Sequence, residues 1–114
     1  MAEVRATDPN TGGQKGRKTA EFALIPADCL WELAEVYGVG AQKYSADNWR
    51  KGYPWSWSYS AMQRHLNQFW QGEDFDAETR QAHLAHAAWH AFTLLWFLLN
   101  DAGTDDRPTL PGER

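Results

Sequence analysis

Cysteine occurs once in this chain, at Cys29. A single thiol excludes an intramolecular disulfide and suits a reducing cytoplasm. Cys29 sits in an apolar helical pattern, which predicts a buried packing thiol and not a nucleophile. There is no Cys/His zinc-finger spacing, no phosphate-binding P-loop and no Ser-nucleophile motif. Long hydrophobic runs are missing too. The longest, around Phe92 to Leu99, is too short to cross a bilayer, and no secretory signal is visible, so no membrane partner is expected. Positive charge is scarce: eleven Lys and Arg face fifteen Asp and Glu, for a net −4. That excludes a broad basic face for duplex nucleic acid. A small anionic ligand stays open, because a metal or a local basic cluster can supply the missing charge.

What the chain does have is tryptophan, seven in 114 residues. Each is either core packing or part of a stacking or subunit surface. The length suits one small domain, and small domains often bury further surface by oligomerising. The expected division is a flexible basic arm over residues 1–20, a helical domain over 21–100 and a loose tail over 101–114. In the arm, Lys15, Arg17 and Lys18 follow Gly12-Gly13. They make either a disordered tail or a strap for phosphates.

Helical spacing of Leu30, Leu33, Ala34 and Tyr37 predicts a first helix from Ala27 to Tyr37, stopped by Gly38. Glu32 and Glu35 lie near one face of it, as a metal-binding pair or a solvated one. The stretch from Gly38 to Tyr53 mixes glycines, cations and aromatics, as functional loops do. Lys43, Arg50 and Lys51 can hold phosphates, Tyr44 or Trp49 can stack on a base, and Asn48 lies between them. The alternative is a surface turn pinned by a buried Trp49. A second helix is predicted from about Ser58 to Trp70, capped by Ser56 or Ser58. It carries Arg64 and His65.

The densest chemistry lies in residues 72–90. Four acids (Glu73, Asp74, Asp76, Glu78) run into a third helix, which starts within residues 76–81 and ends near Asn100. His83, His86 and His90 follow at i, i+3, i+7 and share one stripe of it. Glu73, Asp76 and Glu78 can give a divalent cation its oxygens; His83 and His86 can ligate it or orient the carboxylates. A solvated loop before a packing helix is the competing reading. The helix is apolar nearly all round, with alanines that allow close approach, so it is central or lies at an oligomer seam.

Three ordered runs resemble a known family: LIP-x-x-x-L-x-x-LAEVYGVGA-x-KY-x-x-x-NW-x-KGYPW, then RHL-x-x-FW-x-GED-x-D-x-E, then HLAHAAWHA. Together they resemble the phage dATP/dGTP diphosphohydrolase N-terminal family, related to the MazG-like all-α nucleoside triphosphate pyrophosphohydrolases, over residues 12–98. The resemblance implies an all-α fold, a small bundle of three to five helices completed as a dimer or tetramer. It implies Mg²⁺ (or Mn²⁺) and a nucleotide substrate cut between its α- and β-phosphates, in the host cytoplasm if a phage encodes the protein. On that pattern Glu35, Glu73, Asp76 and Glu78 hold metal, and Glu73, Asp76, His83 and His86 are catalytic. Lys43, Tyr44, Asn48, Trp49, Lys51, Arg64 and His65 meet the substrate. The chain departs from the pattern at Arg80, where glycine is expected. The alternative function is a non-catalytic sponge that sequesters a cyclic or ADP-ribose-derived immune signal.

Overall fold

A computed structural model describes residues 3–109. Three helices form its body: α1 (Ala27–Lys43), α2 (Trp55–Trp70) and α3 (His83–Asn100). A two-stranded antiparallel hairpin precedes them, β1 (Glu3–Thr7) and β2 (Gln14–Lys18). The all-α expectation is therefore corrected: the fold is mostly helical, with one small sheet. The hairpin forms where a basic arm was expected. Its register sets Glu3 opposite Lys18 and Thr7 opposite Gln14. Asp8 organises the turn, its Oδ1 accepting the backbone N–H of Asn10 and Thr11 at 2.7 and 3.1 Å. Nearly every strand residue is exposed; β1 alternates polar and apolar residues from Glu3 to Thr7, whereas β2 carries no apolar side chain.

α1 runs through Gly38 and Gly40 and ends at Lys43, six residues beyond the expected last residue, Tyr37. Neither glycine has the positive φ of a helix terminator, so the backbone continues helical. Burial on α1 centres on Leu33 and Val36, where it packs on α3. Cys29 lies in the first turn, ahead of that contact, and is exposed. This corrects the expectation of a buried thiol. The Asp28 carboxylate raises its pKa, which disfavours the thiolate.

α3 is the central element because α2 and α1 pack on different faces of it. The α2 face is the stripe His83, His86, His90, Thr93, Phe97. It continues the i, i+3, i+7 spacing for four turns, and His83, Thr93 and Phe97 are fully buried. On the α1 side, Trp49 from the 3-10 turn Asn48–Lys51 sits among Tyr37, Trp89, Trp96 and Phe97, with ring centroids 5.1–6.4 Å apart. The third face of α3 carries Leu84, Phe92, Leu95, Leu98 and Leu99, each about half exposed or more.

The start of α2 is held from 50 residues away. Neither Ser56 nor Ser58 caps it. Instead the Asp106 carboxylate accepts the Ser56 N–H at 2.9 Å and the Ser56 hydroxyl at 2.5 Å, placing an anion at the helix N-terminus. These bonds, the Ser56 hydroxyl first, lower the Asp106 pKa. Trp55 Nε1–H donates to the Ala102 carbonyl at 2.9 Å, and the Arg107 guanidinium lies over the Trp55 ring. The segment following α3, expected to be loose, thus crosses the α2 start through residue 107. Gly52 and Gly103 make the crossing possible. Both have positive φ, and a Cβ on Gly52 would lie 2.8 Å from the Gly103 nitrogen.

Candidate functional site

The loop between α2 and α3 is built to turn its acids back towards the helices. Gly72, at φ 102°, ends α2 with a conformation that favours glycine. An isolated antiparallel bridge joins Phe75 to Ala82. Asp76 N–H donates to the Gln81 carbonyl at 2.8 Å, and His83 N–H to the Asp74 carbonyl at 3.0 Å. α3 therefore begins only at His83, later than its composition suggests. Asp76 divides its carboxylate between two tasks. Oδ1 accepts the backbone N–H of Glu78 and Thr79 at 2.7 and 3.0 Å, and Oδ2 lies 3.8 Å from His65 Nδ1. Burial alone would raise the Asp76 pKa; the Thr79 and Glu78 amides, then His86 and His65, overcome it and leave it lowered.

Arg80 closes this loop, its N–H donating to the Asp76 carbonyl at 2.7 Å. Its φ is 64°, left-handed backbone that costs an L side chain about 1–2 kcal/mol. The glycine that the family pattern expects here suits that conformation. R80G should therefore stabilise the fold by about 0.5–1 kcal/mol, net of the greater freedom glycine gives the unfolded chain. A urea-denaturation midpoint that moves up at unchanged slope checks it.

Across the α2–α3 seam, polar groups meet in two chains. In the first, His83 Nε2 lies 2.8 Å from Glu73 Oε1 and His83 Nδ1 lies 2.9 Å from His65 Nδ1. A carboxylate only accepts, so Nε2 of His83 donates. In the neutral ring Nδ1 then accepts, from Nδ1–H of His65. The His86 ring stacks on His65 at 4.5 Å, and its Nε2 is 2.7 Å from Thr79 Oγ1. In the second chain His90 Nδ1 lies 2.9 Å from Ser58 Oγ, which lies 2.5 Å from the Tyr53 hydroxyl. Ser58 is fully buried, and with both partners its hydroxyl is satisfied.

Burial lowers the pKa of His65, His86 and His90, with the neighbouring rings adding to the effect. For His90 the value falls from 6.5 to about 4; the groups facing it are His65, His86 and Arg64. Between those two values the unfolded chain binds a proton that the folded chain does not. The stability this ring contributes is complete above 6.5 and is lost as the pH falls towards about 4. Metal-free protein should lose on the order of 2 kcal/mol between pH 7 and pH 4.5. Denaturant titrations at the two pH values check this.

One donor atom each from His65, Asp76 and His83 lies within 4.8 Å of the other two. Two nitrogens bound to one ion at about 2.1 Å stand about 3.0–3.4 Å apart between octahedral and tetrahedral angles, and the two Nδ1 atoms are 2.9 Å apart. His83 is fully buried, whereas His65 and Asp76 keep 16% and 19% of their side chains exposed. One side of the cluster is thus reachable from solvent. Two imidazoles and a carboxylate with an open side fit a divalent cation. Glu73 grips the far nitrogen of His83, as partners of metal-bound histidines do.

The structure brings His65, Glu73, Asp76, His83 and His86 together, with Arg64 adjacent on α2 and felt by His65 and His90. It does not bring in Glu35, which lies exposed on α1 beside the exposed Glu32. Glu78 is exposed too and reaches Asp76 through its backbone. Among the described residues neither belongs to a three-ligand cluster. Lys43 and Lys51 are exposed, and Lys43 lies over the Tyr44 ring. Asn48 and Trp49 are half-buried; Trp49 is enclosed by four rings and capped by Arg50, which suits the pinned-turn reading better than an open stacking platform. Sequence reasoning missed Thr79, Ser58 and Tyr53. Ser58 stands seven residues before His65, on the same α2 face, a signal that was present. An apolar cavity of about 460 Å³ lies elsewhere, lined by Trp55, Tyr59, Leu94, Leu95, Leu98 and Arg107 among others, and no seam histidine touches it.

A family model described as dATP/dGTP diphosphohydrolase, N-terminal, matches residues 9–107. The dATP/dGTP diphosphohydrolase of Salmonella phage PMBT28 is 34% identical over 107 residues, which cover 91% of this chain and 37% of that protein. The chain thus spans little more than a third of the relative's length. No solved structure matches.

Proposed function

Because the chain belongs to the dATP/dGTP diphosphohydrolase N-terminal family, we propose that it hydrolyses purine deoxynucleoside triphosphates to monophosphate and pyrophosphate at the α2–α3 seam. The observation that carries this reading is the convergence of His65, Asp76 and His83 on one point that solvent reaches from one side. These three residues would hold a divalent cation. When bound, such a cation polarises a phosphoryl oxygen and lowers the pKa of a water.

The remaining groups have definite tasks. Glu73 fixes the ring of His83 through Nε2–H, leaving Nδ1 free to bind. Asp76 keeps its position through the Glu78 and Thr79 amides while Oδ2 stays available. His86 is kept neutral by burial and stands beside Asp76, so it can accept the proton that an attacking water loses. Thr79 holds its ring. Arg64, exposed on α2, supplies positive charge for the phosphates. Phosphoryl transfer needs chiefly this positioning and neutralisation.

The test is chromatography of dATP, dGTP, other nucleotides and cyclic signals incubated with pure protein, with divalent cation or with EDTA. Monophosphate and pyrophosphate formed from dATP or dGTP, and abolished by EDTA, is the expected result. A nucleotide that disappears and returns unchanged after heat denaturation would replace hydrolysis with sequestration.

A further inference from the structure

We propose that the cation of this seam is an imidazole-binding transition-metal ion of the Mn²⁺, Co²⁺ or Zn²⁺ class, that Mg²⁺ is a poor occupant, and that Glu73 is a positioning residue and not a ligand. This rests on the seam being a cation site, as in the function proposed above, but not on hydrolysis.

Two of the three converging donors are imidazole nitrogens. Mg²⁺ demands oxygen ligands at about 2.0–2.1 Å in near-ideal octahedral geometry and gives up its water reluctantly. Later first-row ions accept imidazole readily. The acids that would make an oxygen-rich site are elsewhere: Glu32, Glu35 and Glu78 are exposed, and Glu73 Oε1 is engaged with His83 Nε2 at 2.8 Å. That contact directs the other nitrogen of His83 at His65. The two facing Nδ1 atoms cannot both present lone pairs to each other at 2.9 Å: either a proton lies between them or a cation lies to one side, within reach of both. In the metal-free chain the His65 Nδ1 proton fills that place. A cation enters when His65 carries its proton on Nε2 instead, a change of tautomer with no change of charge. The donors come from α2, the connecting loop and the first residue of α3, so the ion ties three segments together.

The experiment is calorimetric titration of EDTA-stripped protein with Mn²⁺, Co²⁺, Zn²⁺ and Mg²⁺ separately, with thermal unfolding and the visible absorption of the Co²⁺ form alongside. One transition-metal ion per chain is expected, bound at least 100-fold more tightly than Mg²⁺. The unfolding midpoint should rise by about 5 °C or more at a hundredfold excess over Kd. H65Q and D76N, at partly exposed positions, should each weaken binding more than tenfold; E73Q should weaken it about 10–100-fold while the Co²⁺ spectrum keeps its shape. Mg²⁺ binding as tight as Co²⁺ would overturn the proposal. So would Co²⁺ binding unchanged in H65Q and D76N, or an altered Co²⁺ spectrum in E73Q. A protein that binds Co²⁺ as expected yet leaves every triphosphate intact would refute the activity and leave the metal site standing.

Discussion

D76N should reduce hydrolysis of dATP and dGTP about a thousandfold and leave the fold intact. The two oxygens of Asp76 do different work. Oδ1 accepts two backbone N–H groups, from Glu78 and Thr79, and an asparagine oxygen accepts them equally well. Oδ2 faces His65, and asparagine puts an uncharged NH₂ there. The substitution therefore keeps the turn and removes the anionic ligand. Turnover at saturating cation, measured beside far-UV circular dichroism, separates the two effects. A D76N protein with ordinary helicity and near-normal kcat/KM would remove Asp76 from the chemistry.

F97A should cost about 3–5 kcal/mol. For a domain of this size that is a large share of the usual total stability, and the thermal midpoint should drop by about 15 °C or more. Phe97 is fully buried at the end of the seam stripe. Its ring meets Tyr53 edge-on at 5.1 Å and lies within 6.4 Å of Trp49 and Trp96. It thus joins the α1 side of α3 to the α2 side. The same ring backs Tyr53, whose hydroxyl holds Ser58 and, through it, His90. F97L should be milder because it leaves a smaller void. Differential scanning calorimetry on both variants checks the order.

The helices were legible because their apolar residues repeat at helical spacing. The histidine stripe was legible for the same reason: His83, His86 and His90 follow helical spacing. What failed has identifiable physical causes. The hairpin is nearly all exposed, and although Glu3 to Thr7 alternates polar and apolar residues, the partner strand Gln14 to Lys18 has no apolar side chain to match it. Gly38 and Gly40 resemble a helix stop, yet a stop needs a positive φ that neither adopts. Burial of Cys29 was expected from periodicity, but periodicity does not say where along a helix the neighbouring helix begins to cover it. The Asp106 cap on α2 joins residues 50 apart in sequence, beyond the reach of any local rule. Glu32 and Glu35, paired by spacing on one face of α1, are exposed and lie outside the histidine cluster.

The most direct test of the account is an anomalous difference map from crystals of metal-stripped protein soaked in Mn²⁺ or Co²⁺ with a non-hydrolysable dATP analogue. One dominant peak is expected about 2.0–2.3 Å from His65 Nδ1, His83 Nδ1 and Asp76 Oδ2, with the analogue's phosphates on its open side. A dominant peak among Glu32, Glu35 and Glu78, or phosphates bound away from the α2–α3 seam, would contradict it.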